Sequence, residues 1–189
     1  NLTQTELWNG TNWTEVNDLN QKRHDGLAGG GTTSAGITAG GTSTTAKTEV
    51  WNGTNWTEVN DLNTARRGAA GAGVSTSALV FGGSEKWNGT NWTEVNNLNT
   101  ARDFADASGI TTAALCFGGR ISGGATANTE LYNGTNWAEQ NNMGTARYTH
   151  GSAGSSVSAL AMGGSHPPPN TAATEEWSAG DTTVTFTDA

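Results

Sequence analysis

WNGTNWTEVN occupies residues 8–17, 51–60 and 87–96. A weaker copy, YNGTNWAEQN, starts at Tyr132, and a degraded one, WSAGDTTVTF, starts at Trp177. A chain that repeats itself this closely is built from one supersecondary unit stacked on its own copies. Within the ten residues, an aromatic, then Asn-Gly-Thr-Asn, then Trp predicts two short strands joined by a tight hairpin. Asn and Gly both tolerate the positive φ that lets such a turn match the twist of its strands. Outward from the hairpin the second half of the unit is equally regular. TARRGAAGAGVSTSALVFGG covers residues 64–83, TARDFADASGITTAALCFGG covers 100–119, and TARYTHGSAGSSVSALAMGG covers 145–164. The steps from Arg66 to Gly82, Arg102 to Gly118 and Arg147 to Gly163 are all 16 residues, and Arg23 to Gly40 is one longer. The landmark aromatics Trp8, Trp51, Trp87, Tyr132 and Trp177 lie 43, 36, 45 and 45 residues apart. That period fits four short strands per unit, as in propeller blades.

The four strands can be placed in order. Strand A is the small-residue stretch after each Arg, such as Gly68–Val74, and strand B is the apolar run before the double glycine, such as Leu79-Val80-Phe81. Strand C ends at the first aromatic, as in Thr48–Trp51, and strand D begins at the second, as in Trp56–Val59. The Gly and Ala of strand A suit the innermost position, where blades crowd the axis. No segment has a sustained helical period. Only 33% of the residues are apolar and 14% charged, but eight Trp recur at regular places. Each can bury roughly 150–250 Å², so the Trp pairs read as packing between or across blades. The repeated Arg23, Arg66, Arg102 and Arg147 read as structural donors to a backbone carbonyl or to a carboxylate such as Glu58 of a neighbouring blade.

Arg, an apolar strand ending in Gly-Gly, an aromatic, and Trp about five residues later resemble the kelch repeat. The motifs are Arg66…Gly82-Gly83…Trp87…Trp92, Arg102…Gly118-Gly119…Tyr132…Trp137 and Arg147…Gly163-Gly164…Trp177. The resemblance covers nearly the whole chain. It implies a β-propeller in which the double glycine, the strand C aromatic and the strand D Trp are structural. The blades are short, and the last copy has Thr182 or Thr183 where the second Trp is expected. The near-identical NGTNW copies are also similar to kelch-like repeats of phage and environmental bacterial surface proteins. Some kelch-like propellers are copper oxidases, which need Tyr, Cys and His ligands around one metal. Cys116 stands at the place of Val80 and Ala161 in strand B, so it reads as a small buried hydrophobe.

The expected fold is therefore all-β: one repeat domain over residues 1–189, with four complete four-stranded kelch-like blades and one partial blade. Residues 1–19 form the partial blade, a C–D hairpin, and the complete blades cover 20–62, 63–99, 100–143 and 144–189. The ring is five-bladed if an upstream A–B pair closes it; partner subunits or an open curved array are the alternatives. The chain opens at Asn1, without an initiating Met and inside a repeat, which suggests processing or a longer parent protein.

Nine Lys and Arg against 17 Asp and Glu give a net charge of -8, without a basic tract. Nucleic acid and anionic membrane surfaces need a cationic footprint and are disfavoured as partners. No apolar run is long enough for membrane insertion as a helix. Cys116 is the one thiol, so an intrachain disulfide is impossible. No nucleophile–base pair, phosphate loop or metal signature is present, so no enzymatic activity and no cofactor are expected.

The copies differ in two places, and variable loops on a fixed scaffold are where binding sites usually lie. One is the B–C loop, where the second glycine and the strand C aromatic are 10, 4, 13 and 13 residues apart. The other is the start of strand A, which reads His24-Asp25, Arg67-Gly68, Asp103-Phe104 and Tyr148-Thr149, with Asp106 and His150 slightly further in. Strand alternation puts both at one propeller face. The candidate ligand-binding residues are His24, Asp25, Arg67, Asp103, Phe104, Asp106, Tyr148 and His150. The spacing of the His and Asp residues is too dispersed for a metal motif. His166 precedes Pro167-Pro168-Pro169, a stiff polyproline-like loop. The Asn-Gly-Thr-Asn hairpins create possible glycosylation sites at Asn9, Asn12, Asn52, Asn55, Asn88, Asn91 and Asn133. The expected function is a non-enzymatic binding or adhesion module, extracellular on a cell surface or virion, recognising a surface glycan or protein. The alternative is a structural subunit that self-assembles into a fibre or appendage.

Overall fold

A computed structural model of the chain describes residues 2–24, 28–41, 44–165 and 169–180, together with the backbone of 184–186. The described residues contain strands and turns and no α-helix. A two-stranded hairpin, β1 (Thr5–Trp8) with β2 (Trp13–Val16), comes first. Four four-stranded antiparallel sheets follow. The first is β3 (Ala28–Thr32), β4 (Ala35–Ala39), β5 (Thr48–Trp51) and β6 (Trp56–Val59). The second is β7 (Gly71–Val74), β8 (Ser77–Val80), β9 (Glu85–Trp87) and β10 (Trp92–Glu94). The third is β11 (Asp106–Ile110) and β12 (Ala113–Phe117), then β15 (Thr129–Tyr132) and β16 (Trp137–Gln140). Its B–C loop carries a miniature ribbon, β13 (Arg120–Ile121) with β14 (Gly124–Ala125). The fourth is β17 (Gly151–Gly154), β18 (Ser158–Met162), β19 (Thr174–Ser178) and β20 (Val184–Phe186). The fold is an all-β propeller arrangement of four blades plus a half blade, with A, B, C and D strands meandering outward.

The inner strands β3, β7, β11 and β17 touch in succession. Small residues permit this approach: a Cβ on Gly30 would stand 2.7 Å from the Gly73 carbonyl oxygen of the next blade. The second strand of each blade then alternates between two neighbours. Ala78 and Val80 pack with Ile37 and Ala39 of the preceding blade. Leu79 and Phe81, on the opposite face, pack with Cys116 and Trp137 of the following blade. Leu115 and Phe117 meet Ala159 and Ala161 in the same way. Phe81 and Trp137 stand edge to face, with centroids 5.0 Å apart, a favoured aromatic geometry.

The tryptophans belong to these junctions, as expected. The strand D tryptophans of the first three complete blades reach the preceding unit, while the strand C indoles of Trp51 and Trp87 donate to Thr33 and Ser75 in the A–B turns of their own blades. The Trp56 indole donates to Thr5 Oγ1 (3.0 Å), Trp92 to Thr48 Oγ1 (3.1 Å) and Trp137 to the Asn96 carbonyl (2.9 Å). The asparagines ending the D strands reach the other way: Asn17, Asn60 and Asn96 donate to the carbonyls of Thr54, Thr90 and Thr135 in the next hairpin.

Two expectations are corrected. Strand A begins about three residues later than the sequence suggests, because the second residue after Arg66, Arg102 and Arg147 is turned into the left-handed region: Gly68 (φ 63°), Phe104 (φ 51°) and Thr149 (φ 48°). The repeated arginines also find a different carboxylate. Arg23 pairs with Glu49, Arg66 with Glu85, Arg102 with Glu130 and Arg147 with Glu175, each within its own blade. Glu58 instead accepts from Gln21 and faces Lys47 at the surface. Each guanidinium also donates to backbone carbonyls of its own blade, as Arg147 does to Gly163 (3.1 Å) and Ala173 (2.6 Å). The close fit requires glycine: a Cβ at Gly83 would lie 2.6 Å from the Arg66 guanidinium.

The glutamates collect more than an arginine. Glu130 accepts from the Arg102 guanidinium (2.7 Å), the Asn99 amide N–H (2.7 Å), the Asn99 side chain (2.9 Å) and the Thr100 amide N–H (3.3 Å). A carboxylate this buried loses several kcal/mol of hydration, which full pairing and hydrogen bonding offset. The same carboxylate thus pins the crossover between blades.

The half blade lacks this completion. Glu6 stands where Glu49, Glu85, Glu130 and Glu175 stand, yet it is exposed and forms no ion pair among the described residues. Trp8 is 45% and Trp13 64% exposed, whereas Trp87 and Trp92 are 1% and 6%. Thr182 and Thr183, at the missing fifth indole, lie outside the described residues, as do Asp25, His166, Pro167 and Pro168.

Candidate functional site

The turned-in residues build the axial mouth. The Phe104 amide donates to the Gly68 carbonyl (2.6 Å), and the Thr149 amide donates to the Phe104 carbonyl (3.0 Å). These two hydrogen bonds link the second, third and fourth blades in steps around the axis. Positive φ is costly for Phe and for β-branched Thr, and such conformations cluster at functional sites. Beneath this staircase lies a cavity of about 500 Å³ lined by Gly29, Ala69–Gly71, Phe104–Asp106, Thr149 and His150. All four blades contribute. The floor is small and apolar, and Asp106 is its charged group. Burial raises the Asp106 carboxyl above the ordinary value, against hydrogen bonds from the Ala107 amide and Ser152.

A second cavity, about 450 Å³, opens on the rim between Ala101–Asp103 and Arg120–Ser122. There Arg120 grips Asp103 with two bonds, Nε to Oδ1 (3.0 Å) and a terminal nitrogen to Oδ2 (2.8 Å). The same guanidinium lies 4.6 Å from the Phe104 ring centroid and 5.9 Å from that of Tyr148. Asp103, Arg120, Phe104 and Tyr148 thus form one stacked, half-buried clasp between the two cavities. Cation–π contact and a forked ion pair hold the aromatic rings in place. Arg120 was not among the sequence candidates. Its signal was available, since the residue after the double glycine is Ser84 or Ser165 in the neighbouring blades and Arg only here.

The remaining candidates are dispersed. Arg67 and His24 are exposed and line neither cavity. His150 borders the axial cavity, but its ring is 7% exposed and tilts over Phe117 at 5.5 Å. Burial, reinforced by Arg147, lowers its pKa to about 4, so at neutral pH it is an uncharged wedge between blades. Cys116 is fully buried, and burial pushes its thiol up to about 11, far from the thiolate a nucleophile or soft metal needs. Among the described residues no three His, Cys, Asp or Glu side chains converge to hold a metal ion. The sequon residues Asn9, Asn12, Asn52, Asn55, Asn88, Asn91 and Asn133 are all exposed on the hairpins. Asn9, Asn52, Asn88 and Asn133 use their side-chain oxygens to accept from the turn amides two and three residues on.

No protein-family model matches this chain, and no curated protein does.

A fixed carboxylate, two aromatic rings stacked with a cation, and a small apolar floor provide hydrogen-bond acceptance and a flat contact surface.

Proposed function

We propose that this chain is a non-enzymatic binding or adhesion module of the kelch-like type, displayed extracellularly on a cell surface or virion. Its axial mouth recognises a glycan or a protein. One observation carries the reading: the walls of the axial cavity change from blade to blade while the framework around them is repeated almost letter for letter. Ala70, Asp106 and Gly151 occupy equivalent places at the start of strand A, as do Gly68, Phe104 and Thr149 at the turn before it. The sequence order Arg, Gly-Gly, aromatic, Trp supports the kelch-like assignment, and the repeated NGTNW hairpins support the likeness to phage and environmental surface repeats. Screening the chain on a glycan array and on displayed cell-surface proteins tests the reading. Binding that is lost in Phe104→Ala, Tyr148→Ala and Asp106→Ala but kept in Thr54→Ala supports the mouth. Binding unchanged in all of the first three removes it.

A second reading is a structural subunit that assembles with other chains into a fibre or appendage. The observation that favours it is the exposure of the Trp8 and Trp13 indoles on the N-terminal hairpin.

A further inference from the structure

Asp106 is a half-buried carboxylate without a cation. Glu49, Glu85, Glu130 and Glu175 each hold an arginine, and Asp103 holds Arg120. Asp106 stands on the wall of the axial cavity and forms no ion pair among the described residues. The Ala107 amide donates to its Oδ1 (2.8 Å) and fixes the group in place. The equivalent places in the second and fourth blades hold Ala70 and Gly151, so neither supplies a partner. His150 is the other titratable group of that wall. Its ring is buried, neither nitrogen has a hydrogen-bond partner, and burial keeps it uncharged at neutral pH. At the rim, Arg120 commits its charge to Asp103. The lining therefore holds one uncompensated negative charge among Gly and Ala. Such a charge has lost part of its hydration and gained no counter-charge, which an incoming cation would supply.

We propose that the axial cavity binds an amino sugar, a pyranose unit whose free ammonium group pairs with Asp106 while its ring lies against Phe104 and the Gly–Ala floor. Size selects the sugar among cations. A volume of about 500 Å³ is much wider than one extended alkylammonium chain needs, and it lies in the range of pockets that take a compact ring-bearing ligand. The floor and the Phe104 ring offer apolar surface to the C–H groups of a saturated ring, and Asp106 supplies the placed polar contact. The net charge of -8 favours encounter with a cation. The inference rests on the glycan reading of the axial mouth and gives it a chemical class.

The test titrates the full chain with methyl glucosaminide, methyl N-acetylglucosaminide and methyl glucoside, followed by amide chemical shifts. Each carries at most a single charge, which avoids the adsorption of polycations to an acidic protein. Nα-acetyl-lysine amide stands in for a basic side chain. The glucosaminide should bind saturably, shift the amides of Phe104, Ala107 and Thr149, and bind about tenfold or more tighter than the other two sugars. Asp106→Asn, which keeps the shape and removes the charge, should abolish that preference. Asp106→Ala, which copies Ala70, should do the same in a chain that melts like the wild type. In the wild type the Asp106 carboxyl resonance should titrate at lower pH with the glucosaminide bound, because the coupling is reciprocal. Equal binding of the three sugars, or a preference that survives both Asp106 variants, overturns the ammonium pairing. If that binding is still lost in Phe104→Ala, the mouth stands without it. Tighter binding of the lysine amide than of the glucosaminide overturns the sugar in favour of a basic peptide. Absence of binding by all four probes overturns the inference, while the array screen judges the mouth separately.

Discussion

The second blade and the N-terminal hairpin contain the same ten residues, WNGTNWTEVN. In both, the strands pair in the same register, Trp87 opposite Trp92 and Trp8 opposite Trp13. The indole pairs have nearly the same internal geometry, with centroids 5.3 and 5.5 Å apart and interplanar angles of 42° and 46°. Everything beyond the hairpin differs. One pair is buried and the other half open, and one glutamate is enclosed while the other faces solvent. The hairpin is thus a local product of its turn and cross-strand pair. Its contribution to stability is set by what lies behind it.

The greatest contrast should come from the glutamates. Glu130→Ala leaves Arg102 buried and uncompensated and should cost about 3–5 kcal/mol, whereas Glu6→Ala should stay within about 0.5 kcal/mol. Urea midpoints of the two variants check this, and equal losses would break the comparison. Acid comes next. Unfolding releases His150 from a site where its pKa is about 4 to an ordinary value near 6.5. The unfolded chain then binds a proton that the folded chain refuses, so stability falls as pH drops through that window. The slope is about 1.4 kcal/mol per pH unit. His150→Ala, which makes this position match Ala69 and Ala105, should flatten the dependence between pH 6.5 and 4. Asp106 acts in the opposite sense, because its raised pKa favours the folded state as pH falls. It is common to both proteins and cancels from the difference. The smallest effect concerns the indole N–H. Trp92→Phe loses the bond to buried Thr48 Oγ1 and should cost about 1–2 kcal/mol. Trp13→Phe should be near neutral, as thermal melts of both would show.

Most of the architecture was legible because it is local. The Asn-Gly turns fix strands C and D, and the apolar run before each double glycine fixes strand B. The beginning of strand A was misjudged because Phe104 and Thr149 adopt a conformation that their residue types disfavour, and inter-blade hydrogen bonds hold it there. The arginine partners were misassigned for a similar reason. Arg102 and Glu130 are separated by 28 residues, and only the double-glycine turn, with no side chain in the way, brings them together. At the mouth, the variable positions pointed to Phe104 and Asp106. Arg120 stood in a variable B–C loop as the one arginine after a double glycine, but its role depends on the stack it completes and was passed over, and nothing in the pattern shows that His150 turns inward between blades.

Each arginine and its glutamate lie inside one repeat, so a complete unit is electrically neutral at its core. Inserting or deleting a whole unit adds or removes both partners together and leaves no stranded charge. Lengthening such an array by duplication therefore meets no electrostatic barrier, provided the cut falls before the arginine. A cut after it would leave one charge without its complement.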